Sequence, residues 1–284
     1  MKIEDFDYFY NKDVGKKCLI LGGGPSISSI DYKNFDGIIV SMGDVPIRLQ
    51  DKCNVDYWIT ANSIFPIPDV DYEKINKVKN TTLLFAHTIC TKLNYNVIGE
   101  QLKVPWFEYD QRHFDGRTCD NQSDSRFYLT EKQDCCAKIG NVTIQEFLQR
   151  KYNAIGHYSS GASVAIHALS LAIILGCKQI YIGGVELPIY EKDYSYVGYS
   201  SIFDILKRGN WDGGRKQTLK KFFSVLFNLK IKSVFYPDIP EILSDFEYLN
   251  NLCAKNGIEL FNVSAESNLN KIARFKYSNP NKIN

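Results

Sequence analysis

The chain has 284 residues, 44% hydrophobic and 23% charged, with a formal net charge of +2. This is the balance of a globular protein long enough for one large α/β domain, and the charge gives no reason to expect nucleic acid as a partner. Its longest apolar stretch, 162–177, carries His167 and Ser170 and is too short to span a bilayer. The N-terminal MKIEDFDYFYNKD is acidic and aromatic, unlike a signal peptide. Eight cysteines are scattered without a CxxC and several sit in apolar runs, as reduced core thiols do, so a cytoplasmic location is expected and no metal site.

In chain order, KCLIL (17–21) reads as a short buried parallel strand. GIIVS (37–41), DYWIT (56–60) and TLLFA (82–86) read as three more. Residues 106–136 are polar, aromatic and aperiodic, which predicts a long loop or lid. Thr143 and Glu146 are spaced as a capping box for a short helix over 143–151. In 159–177 the positions Val164, Ala168, Leu171, Ala172 and Leu175 follow helical spacing, and Gly176 is placed to stop the helix. KQIYIGGVEL (178–187) is a strand ending on two glycines and an acid. A helix is predicted over 215–229, a strand over 233–237, a helix over 241–256 ended at Gly257, and a last strand in IELFNVS (258–264). Strands separated by crossovers predict a mostly parallel, Rossmann-like α/β sheet with helices on both faces and a lid-like insertion. The organisation expected is one α/β domain over 1–284, with 106–136 as the lid or loop and 190–215 as a second flexible segment.

Three stretches carry the chemistry. Gly22, Gly23, Gly24, Pro25 and Ser26 follow the first strand. Bare backbone there admits either a tight turn or the close approach of a nucleotide or phosphate, and Pro25-Ser26 can open a helical turn. The run is neither G-x-G-x-x-G nor a phosphate loop with its Gly-Lys-Ser/Thr. YSSGAS (158–163) opens the clearest helix, so Ser159, Ser160 and the free amides there make either an anion site or a helix cap. Glu186 stands just past a buried strand end, where a carboxylate holds a ribose or sugar hydroxyl, binds a metal, acts as a base, or is merely a helix cap or a surface charge. Of the four histidines, His167 lies inside the apolar helix as a core residue, whereas His157 adjoins the serine motif and is the functional candidate. Basic residues gather late, from Lys207 to Lys232, as a solvated face or a surface for anions or lipid.

The ordered set GGGPS…IDY, SSGASVAIHALSLAIILGCKQIYIGGVEL and AKNGIELFNVSAESNLN resembles the bacterial sialyltransferase-like superfamily, with its CMP-sialic acid sialyltransferases and the related 6-hydroxymethylpterin diphosphokinase-like domain. The resemblance covers roughly residues 16–62 and 155–275. It implies a nucleotide-sugar glycosyltransferase for surface glycans, CMP-linked in its donor, with no obligatory cofactor. By position, Gly22 to Ser26 would lie under the nucleotide and Ser159, Ser160 and Gly161 would hold phosphate or cytosine. Glu186, where the family usually has Asp, would hold the ribose, and Asn62 would lie near the donor. Tyr190, Tyr194 and Tyr196 would match phosphate-binding tyrosines. Gly23 replaces the family's asparagine, His157 an arginine, and no histidine follows His167 to serve as the base. Asp238 and His157 are therefore the candidate bases, with Tyr236 and Glu241 beside Asp238. The diphosphokinase alternative requires Mg²⁺, for which Asp44, Asp56 and Glu186 are the available carboxylates. A non-catalytic nucleotide-binding protein is the third reading. The expected partners are a nucleotide-sugar donor and a glycan acceptor; peripheral association with the inner membrane and a homo-oligomer stay open.

Overall fold

The computed structural model describes residues 1–4, 6–43, 45–49, 53–60, 72–86, 102–109, 163–187, 227, 239–265 and 267–283. Its strands are β1 (Lys17–Leu21), β2 (Ile38–Met42), β3 (Tyr57–Thr60), β4 (Thr82–Ala86), β5 (Trp106–Tyr109), β6 (Gln179–Gly183), β7 (Glu259–Asn262) and β8 (Lys276–Tyr277). They form one sheet in the order β5-β4-β3-β2-β1-β6-β7-β8, every neighbouring pair parallel. The chain thus steps outward from β1 to one edge, returns, and steps outward to the other. This is a doubly wound, Rossmann-like α/β fold.

The helices are α1 (Val45–Leu49), α2 (Tyr72–Lys77), α3 (Val164–Ile174), α4 (Ile239–Lys255) and α5 (Asn268–Lys271). Alternate strand residues face opposite layers. Cys18, Ile20, Val40 and Ile59 pack with α3 and α4, whereas Leu19, Leu21, Ile39 and Trp58 pack with Val45 and Leu49 of α1 and Ile75 of α2. Both faces are covered, which is why the strands read as continuous apolar runs instead of alternating ones.

Every residue of α3 from Ala165 to Ile174 is buried. A helix apolar all round needs cover on all sides. Among the described residues the sheet and α4 supply part of it, and the N-terminal segment covers the carboxyl end of the helix. The amides of Asn11, Asp13 and Gly15 donate to the carbonyls of Ile174, Leu175 and Gly176 at 2.9, 2.9 and 3.0 Å, satisfying acceptors that a helix end leaves orphaned. Gly176 ends the helix at φ +86° and Gly257 ends α4 at φ +68°, as their positions in the sequence predict.

Strands β1 to β4 and β7 fall within a residue or two of the predicted spans, and β6 begins one residue after its predicted start and ends at Gly183, four residues before its predicted end. Two differences are informative. Trp106–Tyr109 belongs to the sheet as β5 and not to a loop beginning at 106. Four residues are too few to show a period, and the pairing comes from partners remote in sequence: β4, and Met1 and Ile3, which exchange backbone bonds with Trp106. The cap of α3 is Ser163, the last serine of its motif, whose Oγ accepts from the Ala165 amide at 3.3 Å. The rest of the 106–136 loop, the 143–151 and 215–229 helices, the 233–237 strand, the 190–215 segment and the late basic cluster lie outside the described residues, Phe227 apart.

Cys18, Cys177 and Cys253 are free and buried, and Cys53 is free and half-buried. Burial pushes the Cys53 thiol up to about 11 and also raises those of Cys18 and Cys253 well above the ordinary range. Cys18, Cys177 and Cys253 are inert core thiols, and Cys18 and Cys177 adjoin the apolar runs that predict this. Buried His167 is likewise a core residue. No helix among the described residues is long and apolar enough to cross a membrane.

Candidate functional site

β1 has β2 on one side and β6 on the other, and the chain leaves these two neighbours in opposite directions. The carboxyl ends of β1 and β6 therefore flank the switch point of the sheet, where open α/β folds take their ligands. Both glycine-bearing motifs lie there. α3 leads directly into β6 and lies against the sheet, so its capped N-terminus faces this same edge.

The loop after β1 is stitched to the loop after β6. Gly22 N–H donates to the Gly183 carbonyl and Gly24 N–H to the Gly184 carbonyl, both at 2.8 Å. In return, Gly184 N–H donates to Ser26 Oγ at 2.8 Å, and Ser26 N–H donates to Glu186 Oε1 at 3.0 Å. Pro25 opens a short 3₁₀ turn, Pro25–Ser29, whose preceding residue is Gly24.

Here the need for glycine has a specific cause. A Cβ on Gly22 would collide with the Gly184 carbonyl oxygen and lie 2.8 Å from Val185 Cγ2. One on Gly24 would collide with the Glu186 carboxylate. At these two positions the group that comes close to bare backbone is the chain's own β6 loop. Gly23, between them, is half-exposed while both its neighbours are buried, so it is the glycine of this loop that faces outward.

Glu186 is the centre of the arrangement. Burial raises its carboxyl above the usual glutamate range, opposed by hydrogen bonds from the Ser26 hydroxyl and amide, its own amide and the Ser264 hydroxyl. One carboxylate thus ties together the loops after β1, β6 and β7, and among the described residues its partners are all neutral. So placed, it is suited to accept a hydrogen bond from a hydroxyl, and its negative charge disfavours an anionic group against Gly24.

Sequence reasoning gave no role to the residues that hold this loop from behind. Ser267 Oγ donates to the Val185 carbonyl at 2.8 Å, and Asn268 Nδ2 to the Leu187 carbonyl at 2.6 Å. Asn268 N–H donates to the Glu186 carbonyl at 3.1 Å. Asn262 and Asn270 bond to each other at 3.0 Å and both donate to the Ser264 carbonyl. Beyond the place of AKNGIELFNVSAESNLN in the resemblance, the local signal was polarity after a buried strand, which a solvated loop would also produce.

Of the predicted site residues, Gly22, Gly23, Gly24, Pro25, Ser26 and Glu186 come together at one place. Asn62, His157, Ser159, Ser160, Gly161, Tyr190, Tyr194, Tyr196, Tyr236 and Asp238 lie outside the described residues, as does Asp44. Asp56 lies elsewhere. It precedes β3, three strands from β6, a lateral separation of about 14 Å. Its Oδ2 accepts from the Ile39 amide at 2.7 Å. Asp56 and Glu186 therefore cannot share one cation. Among the described residues, no group of three or more His, Cys, Asp or Glu could hold a metal ion.

No family model and no curated protein matches the chain. Among solved structures it is similar to the sialyltransferase CstII from Campylobacter jejuni, in complex with a substrate analogue, cytidine-5'-monophosphate. The identity is 16% and the TM-score 0.45, over 94% of this chain and 86% of that one. It is also similar to an α-2,3-sialyltransferase from Campylobacter jejuni in its apo form, at 14% identity and a TM-score of 0.41, over 95% of this chain and 84% of that one.

Proposed function

We propose that this chain is a glycosyltransferase that uses a nucleotide-activated sugar, CMP-linked and of the sialyltransferase-like type, to build a surface glycan. The observation that carries the reading is the convergence of GGGPS, GGVEL and NVS on Glu186 at the switch point of the sheet. These three motifs, far apart in sequence, are those whose order resembles the sialyltransferase-like superfamily. In this reading the half-exposed Gly23 and the Ser26 loop lie under the nucleoside, and Glu186 accepts from a ribose hydroxyl. Ser159, Ser160 and Gly161, just before α3, hold the phosphate or the cytosine with Asn62 near the donor, and Tyr190, Tyr194 and Tyr196 stabilise the leaving phosphate.

The chemistry is an inverting displacement at the anomeric carbon. The acceptor oxygen forms the new glycosidic bond as the bond to the nucleotide phosphate breaks, and a base takes the acceptor's proton. Asp238 and His157 are the bases to test, with Tyr236 beside Asp238. No cofactor is required in this scheme. The diphosphokinase reading needs carboxylates gathered around Mg²⁺. Asp56 stands three strands from Glu186, which counts against that set.

A thermal-unfolding panel with CMP, CDP, UDP, GDP and ATP, each with and without Mg²⁺, tests the reading. A ligand that binds only the native state stabilises it by about 2.7 kcal/mol at one hundred times its Kd. CMP is expected to raise the midpoint without metal. A rise with ATP that depends on Mg²⁺ would favour pyrophosphate transfer, and no rise with any nucleotide would remove the nucleotide site. Binding of CMP without turnover of CMP-sugars would leave a non-catalytic binding protein.

A further inference from the structure

Leu187, the last described residue after β6, has φ +47°. This left-handed backbone is unfavourable for a bulky side chain and persists only where surrounding contacts impose it. Leu187 is also buried, at 7% exposure, so its side chain is anchored while its backbone turns. Among the described residues, Ser267 and Asn268 are bonded to this turn. Between them they donate to three consecutive carbonyls, Val185 at 2.8 Å, Glu186 at 3.1 Å and Leu187 at 2.6 Å. The short bond to Leu187 comes from a side-chain amide, and it fixes the carbonyl immediately after the left-handed residue. Ser267 is fully buried and its Oγ also accepts from the Leu269 amide at 3.1 Å, so the strap is itself rigid. On the other side of the loop, the Glu186 carboxylate reaches Ser26.

We infer that Asn268 is a positioning residue for the switch-point site: its side-chain amide holds Leu187 in the left-handed turn that aims Glu186 at the Ser26 loop. The effect of this inference on ligand affinity rests on the nucleotide-site reading; the geometry does not. Asn268 need touch no ligand. It acts through Leu187 on Glu186, and through Glu186 on the β1 loop.

The test uses the full chain and three variants: Asn268→Asp, Leu187→Gly and the double variant. Aspartate keeps the shape of asparagine but, when ionised, has no hydrogen to donate and sets an oxygen against the Leu187 carbonyl. Glycine adopts positive φ at no steric cost, so it removes the need for the strap. The first readout is hydrogen exchange at the Ser26 amide, whose acceptor is Glu186 Oε1. Asn268→Asp is expected to speed exchange there about ten-fold, the equivalent of one lost hydrogen bond, with the amides of β2 and β3 unchanged. Adding Leu187→Gly is expected to restore most of the protection. The second readout is CMP affinity by calorimetry, expected to weaken about ten-fold in Asn268→Asp and to recover in the double variant. Unchanged exchange at Ser26, acceleration spread evenly over the sheet, or additive effects of the two substitutions would overturn the inference. Failure of the unsubstituted chain to bind CMP would overturn the nucleotide reading and leave the exchange result to decide the role of Asn268.

Discussion

At the two ends of one sheet, two carboxylates are held by different means. Asp13, at the amino end, is 6% exposed, accepts from Tyr57 Oη at 2.6 Å and meets Lys16 Nζ at 2.7 Å. Glu186, at the carboxyl end, is met among the described residues by amides and hydroxyls alone. A cation beside a carboxylate compensates its charge, and the Asp13 cluster is a staple between the N-terminal segment and β3. Neutral donors only partly offset burial, and the Glu186 carboxyl is accordingly raised. Its partners are also the loops of the candidate site, so any change in its charge is felt by those loops first. A perturbed acid in contact with a glycine loop is the pattern of a functional site, whereas a paired acid buried away from the switch point is the pattern of a structural one.

The largest effect should come from the carboxyl end. In Gly22→Ala the new methyl meets the Gly184 carbonyl, a backbone group that cannot swing aside. We expect a loss of about 3 kcal/mol or more in chemical denaturation. A loss below about 1 kcal/mol would mean that the two loops are less tightly joined than their hydrogen bonds indicate.

Glu186→Gln probes the carboxyl end through its response to pH. The folded-state value of Glu186 lies above its ordinary 4.5. Its contribution to stability is therefore complete below the ordinary value and is lost as pH rises through the raised one. Glutamine carries no such dependence. Denaturation midpoints of the two proteins should therefore diverge in favour of Glu186→Gln as pH rises from the ordinary 4.5 through the raised value, at a size set by that value. Parallel midpoints over that range would show that Glu186 gains no proton affinity on folding.

The smallest effect is expected from Lys16→Met, although it removes the cation from the buried acid. The Lys16 side chain is 56% exposed, so the cationic end of its pair with buried Asp13 is screened by solvent. The change should cost no more than about 1 kcal/mol, while Tyr57→Phe, which removes a buried donor, should cost about 1–3 kcal/mol. Reversal of that order would make the staple electrostatic and not a matter of hydrogen bonding.

The strands next to the site were legible because each is a short apolar run closed by glycine or a polar break. KCLIL and KQIYIGG carry their own boundaries, and with them the positions of Gly22 and Glu186 at the sheet edge. β5 was not legible, because WFEY is no more strand-like than the aromatic residues around it and owes its pairing to β4 and the N-terminus. The strap of Ser267 and Asn268 was not legible for a related reason. Side chains that bond to carbonyls some 81 residues away leave no period and no spacing in the chain. Nor could composition show that Gly24 makes room for Glu186.

The stitch between the β1 and β6 loops also has a consequence in time. Ser26 and its acceptor Glu186 are 160 residues apart. During synthesis, at about 5–20 residues per second, β1 emerges many seconds before the strand that completes its other side. β2 to β5 can add to it in order, each over a modest span. The β6 side must wait, and it carries the greater entropic cost of closing a long loop. The candidate site is thus among the last parts of this molecule to exist. A nascent chain halted before Gln179 would hold β1 to β5 alone, with the bare edge of β1 open to any strand that reached it first.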